Sequence, residues 1–294
     1  MGLLRRHRTS AALAATVLAV AATTACSPEE EAEDNTGEVA ESAEECAVED
    51  LALKKDGVLT IGTDSPAYPP WFEDNNPRNG KGFESAVAYA VAEEMGFTED
   101  QVKWIKVGFN SLFKPGDTEF DFDINQTSIS PERDEVVDFS EGYYSAAQAV
   151  IALKGSAGAD ATSLEDLKGL KLGAQTGTTS LTAIREVIQP DQDPAVLDDT
   201  NVAKQQLQNG QLDAIVADLP TAFYISAVEI PDSTLVGQFQ VEGGETEEFG
   251  LVFQQGSELL PCVNRALEAL KEDGTLAEIE QQWLADVVNV PELD

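Results

Sequence analysis

The chain has 294 residues, with 54 Asp or Glu against 18 Lys or Arg and a formal charge of -36. That balance excludes a nucleic-acid footprint and electrostatic docking on anionic lipid, while 42% apolar residues suffice for real cores in one large or two ordinary domains. The single histidine, His7, falls in a segment read below as removed, so no Ser-His-Asp or Cys-His catalysis is expected, and neither a metal nor a cofactor.

In chain order, Arg5, Arg6 and Arg8 form a basic start and Ala11 to Ala22 an apolar run too short to span a bilayer as a mature helix. Small residues Thr23, Thr24 and Ala25 lead to Cys26, so residues 1–25 read as a signal peptide. From Ser27 to Asp50 there are eleven carboxylates and no basic residue, a self-repelling stretch with little to bury. Residues 26–50 are therefore expected to be an extended, solvated tether.

The folded part is expected from about Asp56. Val58 to Ile61 reads as a buried strand closed by Gly62-Thr63-Asp64. Phe83, Val87, Val91 and Met95 recur at helical spacing, with Gly96 as the stop. Val102 to Val107 and Phe120 to Ile124 are strand-like. A second set follows Tyr143-Tyr144: strands at Ala149 to Leu153 and Leu170 to Ala174, a helix opened by Gly177-Thr178-Thr179, and a buried strand ending at Asp218 before Pro220. Phe249 to Phe253 reads as one strand, and two amphipathic helices close the chain. Strands alternating with helices predict α/β units with mainly parallel sheets.

Several residues carry candidate chemistry. Arg133 follows Pro131-Glu132 at a helix start; its planar fork fits a carboxylate, with Ser128 and Ser130 as hydroxyl partners, or it simply pairs with Asp134 or Glu135 on the surface. Thr178 and Thr179 open a helix and either cap it or converge on an anion. Asp218 ends an apolar strand, where α/β crevices lie, and either receives an ammonium or caps the next helix. Phe109 and Tyr68 offer apolar walls, as does Trp71, and each of Tyr68 and Trp71 is equally suited to a core. Asp64 reaches a ligand or caps its loop.

The order of motifs resembles the family 3 solute-binding proteins that serve polar amino-acid ABC importers. It is carried by Ile61-Gly-Thr-Asp64, Pro69-Pro70, Gly82-Phe83, Phe109, Ser128-Ile-Ser-Pro-Glu-Arg133, Asp138-Phe-Ser140, Gly177-Thr-Thr179, Leu212 to Asp218, Phe249-Gly250 and Asp273-Gly-Thr-Leu276 before Trp283. The resemblance covers about Val58 to Leu284. It implies a two-lobe periplasmic-binding-protein-like (type II) α/β fold, with lobe 1 at 51–146 plus 243–294, lobe 2 at 147–242, and a hinge at Ala146 to Gln148 and Val241 to Gly244.

For the site, the resemblance places a free amino acid's carboxylate at Arg133, Ser128, Thr178 and Thr179, and its ammonium at Asp218. Phe109 and Tyr68 then flank the side chain and Asp64 reaches it. Glu84 stands where the family often has Asp. Cys26 resembles a lipobox cysteine, although Thr23 replaces the usual Leu; an ordinary secretory signal with a chance cysteine is the alternative. With Cys26 lipidated, Cys46 and Cys262 remain for a disulfide in an oxidising compartment, Cys262 starting the helix that returns to lobe 1. The expected partners are a free, polar amino acid, an ABC transporter permease, and the membrane through the N-terminal lipid only, at the outer face of the cytoplasmic membrane. No nucleic acid is expected, and the protein is expected to be a monomer. The acidic field favours neutral-polar or cationic ligands over Glu or Asp, within the roughly 8 Å that salt allows. A ligand-sensing module and a dehydratase-like enzyme on the same fold are the alternatives.

Overall fold

The computed structural model of the chain describes residues 46–240, 247–284 and 290–294. The expected signal peptide, Cys26, most of the tether and the Val241 to Gly244 half of the hinge lie outside them.

In chain order the strands are β1 (Leu59–Thr63), β2 (Val102–Lys106), β3 (Phe122–Asp123), β4 (Asp138–Phe139), β5 (Tyr144–Ala146) and β6 (Gln148–Leu153). They continue with β7 (Leu172–Gln175), β8 (Ala195–Leu197), β9 (Ala214–Asp218), β10 (Ser233–Phe239), β11 (Glu247–Phe249) and β12 (Val252–Phe253). The helices are α1 (Phe83–Glu94), α2 (Pro131–Asp134), α3 (Leu164–Leu167), α4 (Thr179–Ala183), α5 (Thr200–Gln208), α6 (Leu219–Tyr224), α7 (Leu260–Glu272) and α8 (Thr275–Leu284).

Two five-stranded sheets result, ordered β2-β1-β3-β12-β4 and β10-β6-β9-β7-β8, with β5 and β11 forming a separate two-stranded ladder where the chain passes between lobes. Both sheets are mixed rather than mainly parallel. β12 runs antiparallel to β3 and β4, and β6 antiparallel to β9 and β10. The reason is topological: β6 and β12 each enter directly from the crossing ladder, without the crossover helix that a parallel connection needs. The expected strand Phe249 to Phe253 is accordingly two strands. Phe249 pairs with Tyr144 in the ladder, whereas Val252 pairs with Asp123 and Phe139 in the first sheet.

Burial follows the periodicities. On α1, Phe83, Val87 and Val91 lie one turn apart and are fully enclosed, each such side chain contributing about 1.5–3 kcal/mol. On β6, Val150 and Ala152 join the core on one face of the second sheet, while Ala149 and Ile151 join the core on the other. That two-sided burial is why this strand reads as a continuous apolar run.

Two boundaries differ from expectation. Cys46 to Asp50, assigned to the tether, belong to the folded body: Cys46, Val48 and Leu51 pack on the first-lobe core, and Cys46 Sγ is bonded to Cys262 Sγ with the Cα atoms 5.6 Å apart. Residues 290–294, assigned to lobe 1, lie on lobe 2. Gln238 N donates to Pro291 O at 2.7 Å and Leu293 N to Gln238 O at 2.9 Å, and Leu293 is buried in the second-lobe core. The edge strand β10 offers unpaired backbone groups, and the tail satisfies them. Among the described residues no helix is long and apolar enough to cross a membrane.

Candidate functional site

A cavity of about 280 Å³ lies between the lobes. Asp64, Tyr68, Phe109, Asn125, Gln126 and Arg133 line it from the first lobe, and Gln175, Thr178, Thr179, Asp198, Asp199 and Asp218 from the second. The structure therefore brings together every expected ligand residue except Ser128, which sits immediately behind the wall.

Arg133 is held by backbone rather than by surface acids. Ser130 caps α2, accepting Arg133 N at 3.3 Å, so the side chain leaves the helix's first turn toward the cleft. Nη1 donates to Ser128 O at 2.6 Å, and Nη2 crosses to Gly177 O in the other lobe at 3.0 Å. The guanidinium also lies over the rings of Phe109 and Phe113, at 5.5 and 5.1 Å. Burial lowers its pKa, while Glu247, Asp218 and Glu132 oppose that shift. Gly177 permits the close approach of the lobes: its φ is +77°, and a Cβ there would stand 2.3 Å from Asn110 Oδ1.

Asp218 does not cap α6. It precedes that helix without a side-chain cap hydrogen bond, and its Oδ1 accepts from Gln148 Nε2 at 2.8 Å. Burial pushes its pKa up to about 8, with the nearby Glu247 carboxylate adding to the rise and Gln148 and Arg133 opposing it. A cation placed here would restore the ionised form.

The hydroxyls divide their roles. Thr178 Oγ1 accepts Leu181 N at 3.2 Å as the cap of α4 and donates to Gln175 O at 2.8 Å. Thr179 Oγ1 meets Ser128 Oγ across the cleft at 3.2 Å, and Ser128 Oγ also donates to Glu247. Asp64 pins its surroundings, accepting Ser65 N at 2.6 Å and Phe109 N at 3.1 Å. The Tyr68 ring carries the Lys204 ammonium at 5.3 Å, and that ammonium is paired with Glu229 at 2.8 Å.

Three positions at the cleft are not among the ligand residues expected from the sequence, Gln148 being read there only as part of the hinge. Gln148 is fully buried at the start of β6 and bonds Asp218, Glu247 and Ser180 at once; a polar residue opening an apolar strand is the only signal for it. Glu247 sits in the crossing strand β11 and accepts from Ser128 and Gln148. Gln126 adopts a left-handed φ of +46° and lines the cavity. Glu84 holds it there, accepting Gln126 N at 2.6 Å and also its side-chain amide. Glu84 thus stands outside the cavity, and full burial raises its pKa to about 7. Among the described residues no His, Cys, Asp and Glu group suits a metal ion.

Comparison with known proteins places this architecture. Residues 59–286 match the model of the bacterial extracellular solute-binding proteins, family 3. The L-cystine-binding protein TcyJ of Escherichia coli (strain K12) is 32% identical over 238 residues, covering 80% of this chain and 86% of that protein. A solved ancestral arginine-binding protein bound to arginine superposes with a TM-score of 0.64 at 32% identity, covering 78% of this chain and 98% of that one. An ancestral amino-acid-binding protein described as a precursor of cyclohexadienyl dehydratase gives 0.63 at 31% identity, covering 77% and 96%. With the two mixed sheets, the crossing ladder and the cavity between them, the chain belongs to the bacterial extracellular solute-binding proteins of family 3.

Proposed function

We propose that the protein is an exported receptor that binds one free polar amino acid between its lobes and delivers it to an ABC importer. The observation that carries this reading is the pairing of opposite charges from opposite lobes, Arg133 and Asp218, on one small cavity. A zwitterion entering a cleft loses hydration at both ends, so each end needs an opposite charge with hydrogen bonds. Arg133 supplies donors for the carboxylate, with Ser128, Thr178 and Thr179 around it. Asp218 receives the ammonium, which offsets the burial that otherwise favours its protonated form.

Each lobe contributes half of this grip, so only the closed form completes it. Beyond the two charged ends, Asp64, Asp198 and Asp199 line the cavity with no second cationic side chain among the described residues, which favours ligands with neutral-polar or cationic side chains over Glu or Asp. The Cys26 lipid anchors the receptor at the outer face of the cytoplasmic membrane through the acidic tether, and the Cys46–Cys262 bond ties the tether's end to the first lobe. The reading is of a receptor rather than an enzyme. Calorimetry of the purified protein against the twenty amino acids and L-cystine tests it: one of them binds in a 1:1 complex, and turnover of a prephenate-like cyclic acid is absent. Binding of none, or turnover of the acid, contradicts it.

A further inference from the structure

Trp71 lies outside the cavity and is wholly buried, yet its one polar atom leaves its own lobe. Nε1 donates to Thr221 Oγ1 in the second lobe at 2.7 Å. Its position in the first lobe is over-determined. Trp71 O accepts Glu84 N at 3.0 Å and Ser85 N at 3.3 Å, closing the N-terminus of α1, for which the side chain at position 82 offers no cap. The indole also packs edge-on against Phe83 and Tyr144, with ring centroids 5.8 and 5.5 Å away, and against Phe249 at 5.7 Å. Tyr144 belongs to β5 and Phe249 to β11, so the ring rests on both strands of the crossing ladder.

The acceptor is placed as tightly. Thr221 stands in the first turn of α6, three residues after Asp218, and lines the cavity. We infer that Trp71 and Thr221 form a closure latch, two positioning residues that couple the crossing ladder to the turn carrying Asp218. A buried indole N–H needs a partner, and in the closed form that partner is on the other lobe. Opening breaks this bond and returns the donor to water. The bond therefore weights the closed side of the equilibrium, and its loss lowers apparent affinity through the population of the competent form. The inference rests on the amino-acid reading above, because the closed form that the bond weights is the one that completes the Arg133–Asp218 grip.

The test uses the full exported chain with Thr221→Val, which keeps shape and removes the acceptor, and Thr221→Ser, which keeps the acceptor. The twenty amino acids and L-cystine are titrated into the unmodified protein, and the tightest of them is then titrated into each variant. Thr221→Val is expected to raise Kd about three- to tenfold, the worth of one net hydrogen bond, with the change in dissociation rate. Thr221→Ser is expected to restore binding, and the unliganded melting temperature to stay unchanged in both. Unaltered affinity in Thr221→Val overturns the latch, as does equal damage in Thr221→Ser, which would mark a packing role. Failure of the unmodified protein to bind any of the twenty amino acids or L-cystine overturns the latch together with the amino-acid reading on which it rests, and is told apart from failure of the latch alone by that control.

Discussion

Gln148 and Asp218 face each other as register partners on the antiparallel strands β6 and β9, and Gln148 Nε2 donates to Asp218 Oδ1 at 2.8 Å. The same nitrogen stands 3.0 Å from Glu247 Oε2, so one amide separates the buried Glu247 carboxylate from the half-buried one of Asp218. This contact, rather than the helix that follows, sets where the Asp218 charge points. Replacing Gln148 by Leu removes the amide between Asp218 Oδ1 and Glu247 Oε2, a loss of about 1–3 kcal/mol for an acceptor left unpaired. Amino-acid affinity should fall about tenfold or more in Gln148→Leu, measured by calorimetry, and Gln148→Glu should do greater harm by adding a third carboxyl.

The raised pKa values give a pH signature with a definite sign. Asp218 at about 8 and Glu84 at about 7 bind protons in the folded, unliganded protein that an unfolded carboxylate has released. Over that interval the native state holds more protons, so stability present at low pH is lost as pH rises toward 8. The unliganded melting temperature should therefore fall between about pH 5.5 and 8.5. Amino-acid binding needs ionised Asp218, so affinity should rise over the same interval, and Asp218→Asn should bind weakly with little pH dependence.

The Cys46–Cys262 bond closes a loop spanning 216 positions, and it joins the chain's entry to α7. Thiol titration of denatured, unreduced protein should find neither cysteine free. Reduction should cost about 2–5 kcal/mol of stability and leave amino-acid affinity nearly unchanged, since the bond lies in the first-lobe core rather than at the cleft.

Gly82 has a φ of +93°, and a Cβ there would stand 2.4 Å from Trp71 O, the carbonyl that closes α1. Gly82→Ala should destabilise the protein by on the order of 2 kcal/mol or more in urea unfolding, because backbone rather than a flexible side chain has to move. The variant should also bind more weakly, through displacement of Trp71.

The helix over Phe83 to Glu94 was legible because its burial follows a fixed period, and the strand ending at Asp218 because it is a continuous apolar run buried on both faces. That Arg133 and the two threonines would lie together at the cavity was legible through resemblance, since the residues alone left a surface ion pair open for the one and a simple cap for the others. Other features had no local signal. The ladder of Tyr144–Ala146 with Glu247–Phe249 is short, and its pairing joins segments more than a hundred positions apart. Gln148 and Glu247 acquire their roles only when that pairing brings them beside Asp218. The tail at 290–294 is only five residues long and its apolar Val290 and Leu293 show no helix or strand period, so nothing in it indicates that Leu293 fills the second-lobe core. Mixed sheet direction likewise depends on where the chain crosses between lobes, which periodicity does not encode.

Isothermal titration of the tightest-binding amino acid into the unmodified protein and into Arg133→Ala tests the central claim most directly. Truncation removes the carboxylate's donors and leaves Asp218 with an unpaired zwitterion, at a cost of roughly 2–5 kcal/mol. The predicted result is affinity weaker by at least about thirtyfold, in a variant that remains folded. Affinity within about threefold of the unmodified protein would contradict the Arg133–Asp218 grip.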